Sequence, residues 1–326
     1  MTRSDIVIVT PALAAANNGN WQTAQRWARM LSGDYRPRLT DCWSGGDERL
    51  MIALHARRSA ASIAAWRAAH AQRPLIVVLT GTDLYRDIAV DADAQRSLAL
   101  ADRLVVLQPH GAASLPDALR GKTRVCVQSS PARRALNKTG RHLRALMVGH
   151  LREEKSPRTY FEAARRLVAR ADIHLDHIGG ALEAALADEA RALAAQCPNY
   201  RWLGALPHET TRRHIQRAHV LVHASRMEGG AQVIIEAVTS GTPVIASRIA
   251  GNVGLLGENH PGYFDCGDAA GLLALLQRCR DEPAMLSRLW ASCAQSAESF
   301  RPERERQTLN AIVGELLAAP RHGDRP

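Results

Sequence analysis

Two carboxylates spaced eight residues apart carry the clearest chemistry in this chain. Glu228 is followed by Gly229, Gly230 and Ala231, and Glu236 closes the segment; Met227 precedes it, and the run Ser240-Gly241-Thr242-Pro243-Val244-Ile245 comes shortly after. Glycines that open a helix leave backbone N–H groups uncovered, at the end where the macrodipole favours negative charge. An anion such as a diphosphate can therefore approach the main chain at Gly229, Gly230 and Ala231. Eight residues of helix rise by about 12 Å, so the two carboxylates do not share one reacting atom. They are spaced to hold hydroxyls at the two ends of an extended ligand. An ordinary helix with an acidic first turn would show the same residues.

A second group follows the apolar run 143–148: Gly149-His150-Leu151-Arg152-Glu153-Glu154-Lys155-Ser156. His150, Arg152 and Lys155 are cations or potential cations at a strand end, where fixed positive charge can stabilise a departing phosphate. A solvated, mixed-charge helix start is the plainer reading of the same residues. Further polar groups follow strand-like runs nearer the N-terminus. They are Asn17, Gly19, Asn20 and Thr23 in one loop, Thr82 and Asp83 in Leu79-Thr80-Gly81-Thr82-Asp83, and His110 after Gln108-Pro109. Asp83 is suited either to orient a ligand or cation or to cap the next helix, and a single histidine such as His110 is more often structural.

These residues need strand ends to hold them, and the pattern supplies two series. Strand-like runs at 5–10, 35–42, 50–53, 75–80, 103–107 and 124–127 alternate with helical periodicity, including Trp21, Ala24, Trp27, Ala28 and Leu31 on one face and a helix over 59–70. The polar stretch 128–141 reads as a linker. A second series follows, with strands at 143–148, 174–178, 200–203, 220–223, 243–246 and 262–264, helices at 156–170, 182–196, 210–217 and 231–240, and a last helix at 303–317. Continuous apolar strands alternating with helices indicate parallel sheets covered on both faces. The expected fold class is α/β: two doubly wound, Rossmann-like domains at 1–135 and 136–318, a ligand cleft between them, and a disordered tail at 319–326.

Composition narrows the function classes. The 326 residues are 46% hydrophobic and 23% charged, a globular balance, and with only 4% aromatics the core must be built from Ala, Leu, Val and Ile. The six cysteines form no C-x-x-C pair and the thirteen histidines no H-E-x-x-H, so reduced thiols and no protein-bound metal are expected. No apolar run approaches the roughly 20 residues that span a bilayer, and Met1 to Asp5 has no signal-peptide layout. A cytoplasmic protein without stable membrane association is the expectation. The net charge of +10 raises a nucleic-acid-binding alternative, but there are only three lysines, Lys122, Lys138 and Lys155, and the arginines form no block. Such a protein would also leave Glu228 and Glu236 without a role. Anionic small molecules account for the same charge excess. No internal repeat or low-complexity tract is present.

The segment from Glu228 to Glu236, with its glycines and the Gly241-Thr242-Pro243 run, resembles the E-x7-E signature of retaining GT-B glycosyltransferases. The resemblance covers most of the C-terminal half. It implies that Glu228 contacts hydroxyls of a donor sugar, that Glu236 contacts the nucleotide ribose, and that Lys155 clamps the donor diphosphate. The family commonly has Arg where this chain has His150, which leaves Arg152 as the candidate for the missing cation. Gly179 matches a glycine turn facing the nucleotide, Leu206 a main-chain contact to uracil, and Gly19 an N-terminal loop glycine that meets a phosphate. On the acceptor side, Asn17, Asn20, Thr23, Thr82, Asp83 and His110 are the candidates. Glu228, Lys155 and Arg152 are those for catalysis, with no metal or cofactor required. No protein nucleophile is evident, so the resemblance implies attack by the acceptor from the face the nucleotide leaves. Gly-His-Leu-Arg-Glu-Glu-Lys, Leu-Thr-Gly-Thr-Asp-Leu-Tyr-Arg-Asp and the chain length together look like the selenosugar synthases of selenoneine biosynthesis. Those enzymes join a UDP-sugar, typically UDP-N-acetylglucosamine, to selenophosphate and release UDP. The alternative is an ordinary retaining glycosyltransferase with a hydroxyl acceptor.

Overall fold

The structure is a computed structural model that describes residues 5–11 and 19–318. Asn17, Asn18 and the 319–326 tail lie outside the described residues. Two compact units are present: Met1–Gln128 with Pro302–Pro326, and Ser129–Arg301.

In the first unit, β1 (Ile6–Val9), β2 (Pro37–Thr40), β3 (Leu50–Leu54), β4 (Leu75–Leu79), β5 (Arg103–Val106) and β6 (Thr123–Val125) form one parallel sheet, ordered β2-β1-β3-β4-β5-β6. Side chains alternate between its faces, and each face has its own core. Val7, Val9, Met51 and Ala53 pack with Ile63 and Trp66 of the helix Ala60–Ala69. Ile6, Ile8, Leu50 and Ile52 pack with Trp27 and Leu31 of the helix Gly19–Leu31.

That second face also receives Leu309, Ile312 and Val313 of the last helix, Pro302–Ala318. The helix was expected in the second domain by its place in the sequence, but it completes the first unit. Its buried Glu305 explains why: the carboxylate accepts Trp27 Nε1 at 2.6 Å and Arg26 Nε at 2.9 Å, which satisfies a charge that would be costly to bury alone. The boundary also falls earlier than the expected 135. Residues after Gln128 are tied to the second unit by Gln232 Nε2 to Ser129 O at 3.0 Å, Arg212 Nη2 to Pro131 O at 2.9 Å and Arg133 N to Thr239 O at 2.8 Å.

The second unit holds β7 (Leu143–Val148), β8 (Ile173–Ile178), β9 (Tyr200–Trp202), β10 (Val220–His223), β11 (Val244–Ser247) and β12 (Tyr263–Phe264), all parallel, in the order β12-β11-β10-β7-β8-β9. The chain runs outward from β7 in one direction and then restarts at β10 on the other side. This topological switch point opens a crevice beyond the carboxyl ends of β7 and β10. In the first sheet the corresponding reversal lies between β1 and β3. Among the described residues no helix is long and apolar enough to cross a membrane.

Candidate functional site

The loops that leave β7 and β10 meet at the switch point of the second unit. The backbone N–H of Arg226 donates to Glu154 O at 2.8 Å. Next to this tie, Lys155 Nζ donates to Glu228 Oε1. Sequence separates these two residues by 73 positions, yet their side chains are only 17% and 11% exposed in contact with each other. His223, the buried last residue of β10, brings Nε2 to 3.2 Å from the same Oε1, close enough for a charge contact but not aligned as a hydrogen bond. Burial opposes ionisation of Glu228, but the Lys155 ammonium and His223 outweigh it and hold the carboxyl far below the ordinary glutamate range. Glu228 is thus an anion across the whole working pH range.

Gly229, Gly230 and Ala231 form the turn before the helix Gln232–Val238, with Ala231 at the N-cap and Met227 half-buried ahead of Glu228. Glu236 projects from the second turn, and its Oε1 accepts the His208 Nε2–H at 2.6 Å. His208 opens the helix His208–Arg217 directly after Leu206-Pro207, so Glu236 and the Leu206 segment, apart in sequence, are brought together. The Leu206 carbonyl also lies 3.5 Å from the Thr211 hydroxyl, which draws it toward that helix.

His150 has a defined tautomer. Its Nδ1 accepts the Gly180 backbone N–H at 3.0 Å, so the neutral ring carries its proton on Nε2. Burial, with Arg152 and Lys155 nearby, pushes its pKa down, so it acts as a neutral donor and not as a cation. Arg152 has no carboxylate partner among the described residues, and its buried Nε lacks a hydrogen bond. The positive charge of this loop therefore comes from Arg152 and Lys155. Gly179 has a packing role: a Cβ there would lie 1.8 Å from the Gly149 carbonyl oxygen. His177 Nε2 holds that same carbonyl at 3.0 Å.

Sequence reading missed the support beneath Glu228. A Cβ on Gly251 would meet the Glu228 carbonyl oxygen at 2.0 Å, so the helix Ala250–Leu256 presses directly on the loop. Ser247 Oγ donates to Ser225 O at 2.6 Å, and Asn252 Nδ2 donates to Ser247 O at 2.9 Å. Gly251 and Asn252 carry no signal of their own in the sequence. His223 ended an apolar run, which gives a histidine no signal of its own.

The first-unit candidates divide differently. Gly19 and Asn20 open the helix Gly19–Leu31, and Asn17 lies outside the described residues. Thr23, expected to reach a ligand, is 3% exposed, and its hydroxyl donates to Gly19 O at 2.8 Å and accepts from Gln128. Its hydrogen-bonding capacity is used inside the unit. Asp83 is fully buried in the same sense. Oδ1 accepts Thr80 N at 2.8 Å and Gly81 N at 2.9 Å, and Oδ2 accepts Ala56 N at 3.0 Å. These bonds staple the loop after β3 to the loop after β4 and do not cap the helix that follows.

The staple fixes His55, buried with φ +73, a left-handed conformation that costs a non-glycine residue about 1–3 kcal/mol. Its Nδ1 accepts Arg58 N at 3.3 Å, leaving Nε2–H to meet Thr82 Oγ1 at 3.1 Å. Burial, partly offset by Asp83 and Asp87, pushes its pKa down. Asp87, in the π-helical turn Asp83–Asp87, keeps Oδ2 buried without a hydrogen-bond partner, 3.9 Å from His55 Nε2. Gln108 links this turn to the His110 loop: Nε2 donates to Tyr85 Oη at 2.8 Å and Oε1 accepts His110 N at 2.7 Å.

Of the six cysteines, Cys126, Cys197, Cys279 and Cys293 are buried, and burial pushes the Cys279 and Cys293 thiols up to about 12, which disfavours a thiolate nucleophile. Among the described residues no group of three or more His, Cys, Asp or Glu is arranged to hold a metal ion.

Comparison with known proteins bears on the family and the fold. The family model for glycosyl transferases group 1 matches residues 129–289. Glycogen synthase from Mycobacterium tuberculosis (strain CDC 1551 / Oshkosh) is 30% identical over 130 residues, which is 38% of this chain and 30% of the synthase, so the match spans under a third of that relative. Sucrose-phosphate synthase from Thermosynechococcus elongatus superposes with a TM-score of 0.77 at 16% identity, over 98% of this chain and 100% of that one. HepE from Anabaena, solved in complex with UDP-glucose, gives a TM-score of 0.76 at 13% identity, over 96% and 100%. The chain has the two-domain α/β fold of these GT-B structures, and its segment 129–289, which carries Lys155, Glu228 and Glu236, matches the model of the glycosyl transferases group 1.

Proposed function

We propose that this chain transfers a sugar from a UDP-sugar with retention at the anomeric carbon. The observation that carries the reading is the meeting of Lys155 and Glu228 at the switch point, a cation and an anion placed where open parallel sheets bind ligands. Lys155 and Arg152 hold the diphosphate, the His150 Nε2–H donates to it, and the turn at Gly229, Gly230 and Ala231 brings main-chain N–H groups close. Glu228 binds hydroxyls of the sugar, Glu236 those of the ribose, and the Leu206 segment the base. The first unit serves the acceptor.

During transfer the bond from the anomeric carbon to the β-phosphate oxygen breaks, and its electron pair leaves with UDP. The acceptor lone pair forms the new bond from the same face, and a donor phosphate oxygen takes any acceptor proton. The protein contributes position and fixed charge: Lys155 and Arg152 meet the growing negative charge on the leaving diphosphate, so the reading requires no protein-bound metal.

The finer proposal is that the acceptor is selenophosphate, giving a carbon–selenium bond, with UDP-N-acetylglucosamine as donor. It rests on the resemblance to selenosugar synthases. It is supported by the net charge of +10, which suits a second small anion, and by the acceptor's being already an anionic nucleophile that needs no base. A hydroxyl acceptor is the second reading, and one observation favours it: Thr82 Oγ1 accepts the His55 Nε2–H, which leaves its own proton to donate to such a group. The test is UDP release from a panel of UDP-sugars offered with selenophosphate, thiophosphate or simple alcohols. Faster release with selenophosphate supports the first reading; equal or better use of alcohols overturns it in favour of the second, and a failure to release UDP from any of the sugars with any of the acceptors overturns both.

A further inference from the structure

We infer that Lys155 and Glu228 exchange partners, pairing either with each other or with the diphosphate and the sugar hydroxyls respectively, so that the site discriminates a sugar-bearing nucleotide from free UDP. The inference rests on the donor-site reading above and adds to it a determinant of specificity and product release.

The argument starts from how completely the two residues use each other. Glu228 is the one ion-pair partner of Lys155 among the described residues, and both side chains are largely withdrawn from water. A pair of this kind is bound more strongly than an exposed one, and removing one member leaves the other as a desolvated charge. A diphosphate that draws Lys155 away leaves Glu228 facing His223, whose Nε2 sits 3.2 Å from Oε1 without hydrogen-bond alignment. The loop cannot retreat to find water: Gly251 lies against the Glu228 carbonyl so closely that an added Cβ would be 2.0 Å from it. Ser247 and Asn252 fix the strand ends on either side.

Sugar hydroxyls relieve this cost by donating to the carboxylate that Lys155 has left. Free UDP offers nothing at that position. Binding of the phosphate by Lys155 and of the sugar by Glu228 are therefore coupled, and coupling is reciprocal. Once the sugar has been transferred, Glu228 again competes for Lys155 and weakens the hold on UDP. Arg152 has no carboxylate to return to, so it binds the diphosphate in either case.

The experiment is equilibrium titration of UDP and of UDP-N-acetylglucosamine into the full chain, as wild type, Glu228→Gln and Lys155→Met. The wild type should prefer the sugar nucleotide by about tenfold, Glu228→Gln should bind UDP about tenfold more tightly than wild type, and in that variant the preference should shrink toward one, all within the usual range of coupling between two sites. Lys155→Met, which removes the same diphosphate contact from both ligands and leaves Glu228 free for the sugar, should weaken UDP at least as much as the sugar nucleotide. If Glu228→Gln fails to fold, Glu228→Asp, which keeps the charge but shortens its reach, should move the ratio in the same direction. Unchanged or weaker UDP binding in Glu228→Gln, in a protein that binds UDP through Glu236, overturns the exchange and leaves the donor site standing. A wild type that binds neither nucleotide overturns both.

Discussion

Asp83 and Glu228 are both buried carboxylates beyond the carboxyl ends of parallel strands, one in each unit, yet they are held by different kinds of partner. Asp83 takes backbone N–H groups from Ala56, Thr80 and Gly81, which have nowhere else to go. Glu228 takes Lys155, a flexible side chain that can turn to another group, beside the buried His223. A carboxylate satisfied by main chain is part of the architecture, whereas one satisfied by side chains is available to a ligand. On the proposed function the two acidic residues then have opposite roles, although both follow the carboxyl ends of central strands.

The largest effect should come from Asp83. Removing it leaves several buried amides unpaired, at about 1–3 kcal/mol each, so Asp83→Ala should lower unfolding stability by roughly 4 kcal/mol in urea titration. If stability were kept and only acceptor use suffered, the contrast with Glu228 would collapse. Next is the acid response of the second unit. Burial lowers the His177 pKa from 6.5 to about 4, against a smaller raising effect from the Gly149 carbonyl. The folded state then refuses a proton that the unfolded state accepts below 6.5, so stability present above that pH is lost as pH falls toward 4. The loss approaches about 3 kcal/mol at 1.36 kcal/mol per pKa unit. His177→Gln should flatten that part of the pH–stability profile.

Smaller effects separate position from stability. Gly251→Ala should displace the Glu228 carbonyl and reduce turnover about tenfold, with UDP affinity near wild type, because a misplaced group near the chemistry costs rate before it costs binding. Thr82→Val should raise the acceptor KM by about fivefold, the worth of one hydrogen bond, with Thr82→Ser close to wild type and UDP binding unchanged. A Thr82→Val variant with unaltered acceptor KM would reduce the first-unit cluster to architecture alone.

The alternation of strands and helices was readable in the sequence because buried parallel strands such as Leu143–Val148 and Val220–His223 are continuous apolar runs. The second unit's candidate residues could be picked out because its glycines and charges follow those runs directly. What could not be read is what depends on long-range contact. Nothing local says that Lys155 meets Glu228, that His208 meets Glu236, or that the helix Pro302–Ala318 returns to the first unit through Glu305 and Trp27. Thr23 illustrates the same limit: a hydroxyl near a loop looks available until its partner Gln128, 105 residues away, is known.

The proposed function requires that Glu236, beside the Lys155–Glu228 pair, hold the ribose of a nucleotide. Calorimetric titration of UDP into the full-length wild type and Glu236→Ala tests it most directly. Saturable binding by wild type that weakens by tenfold or more in the variant, about the loss of one charge-assisted hydrogen bond, is the expected result. Equal affinity in the two proteins, or none in the wild type, would contradict it.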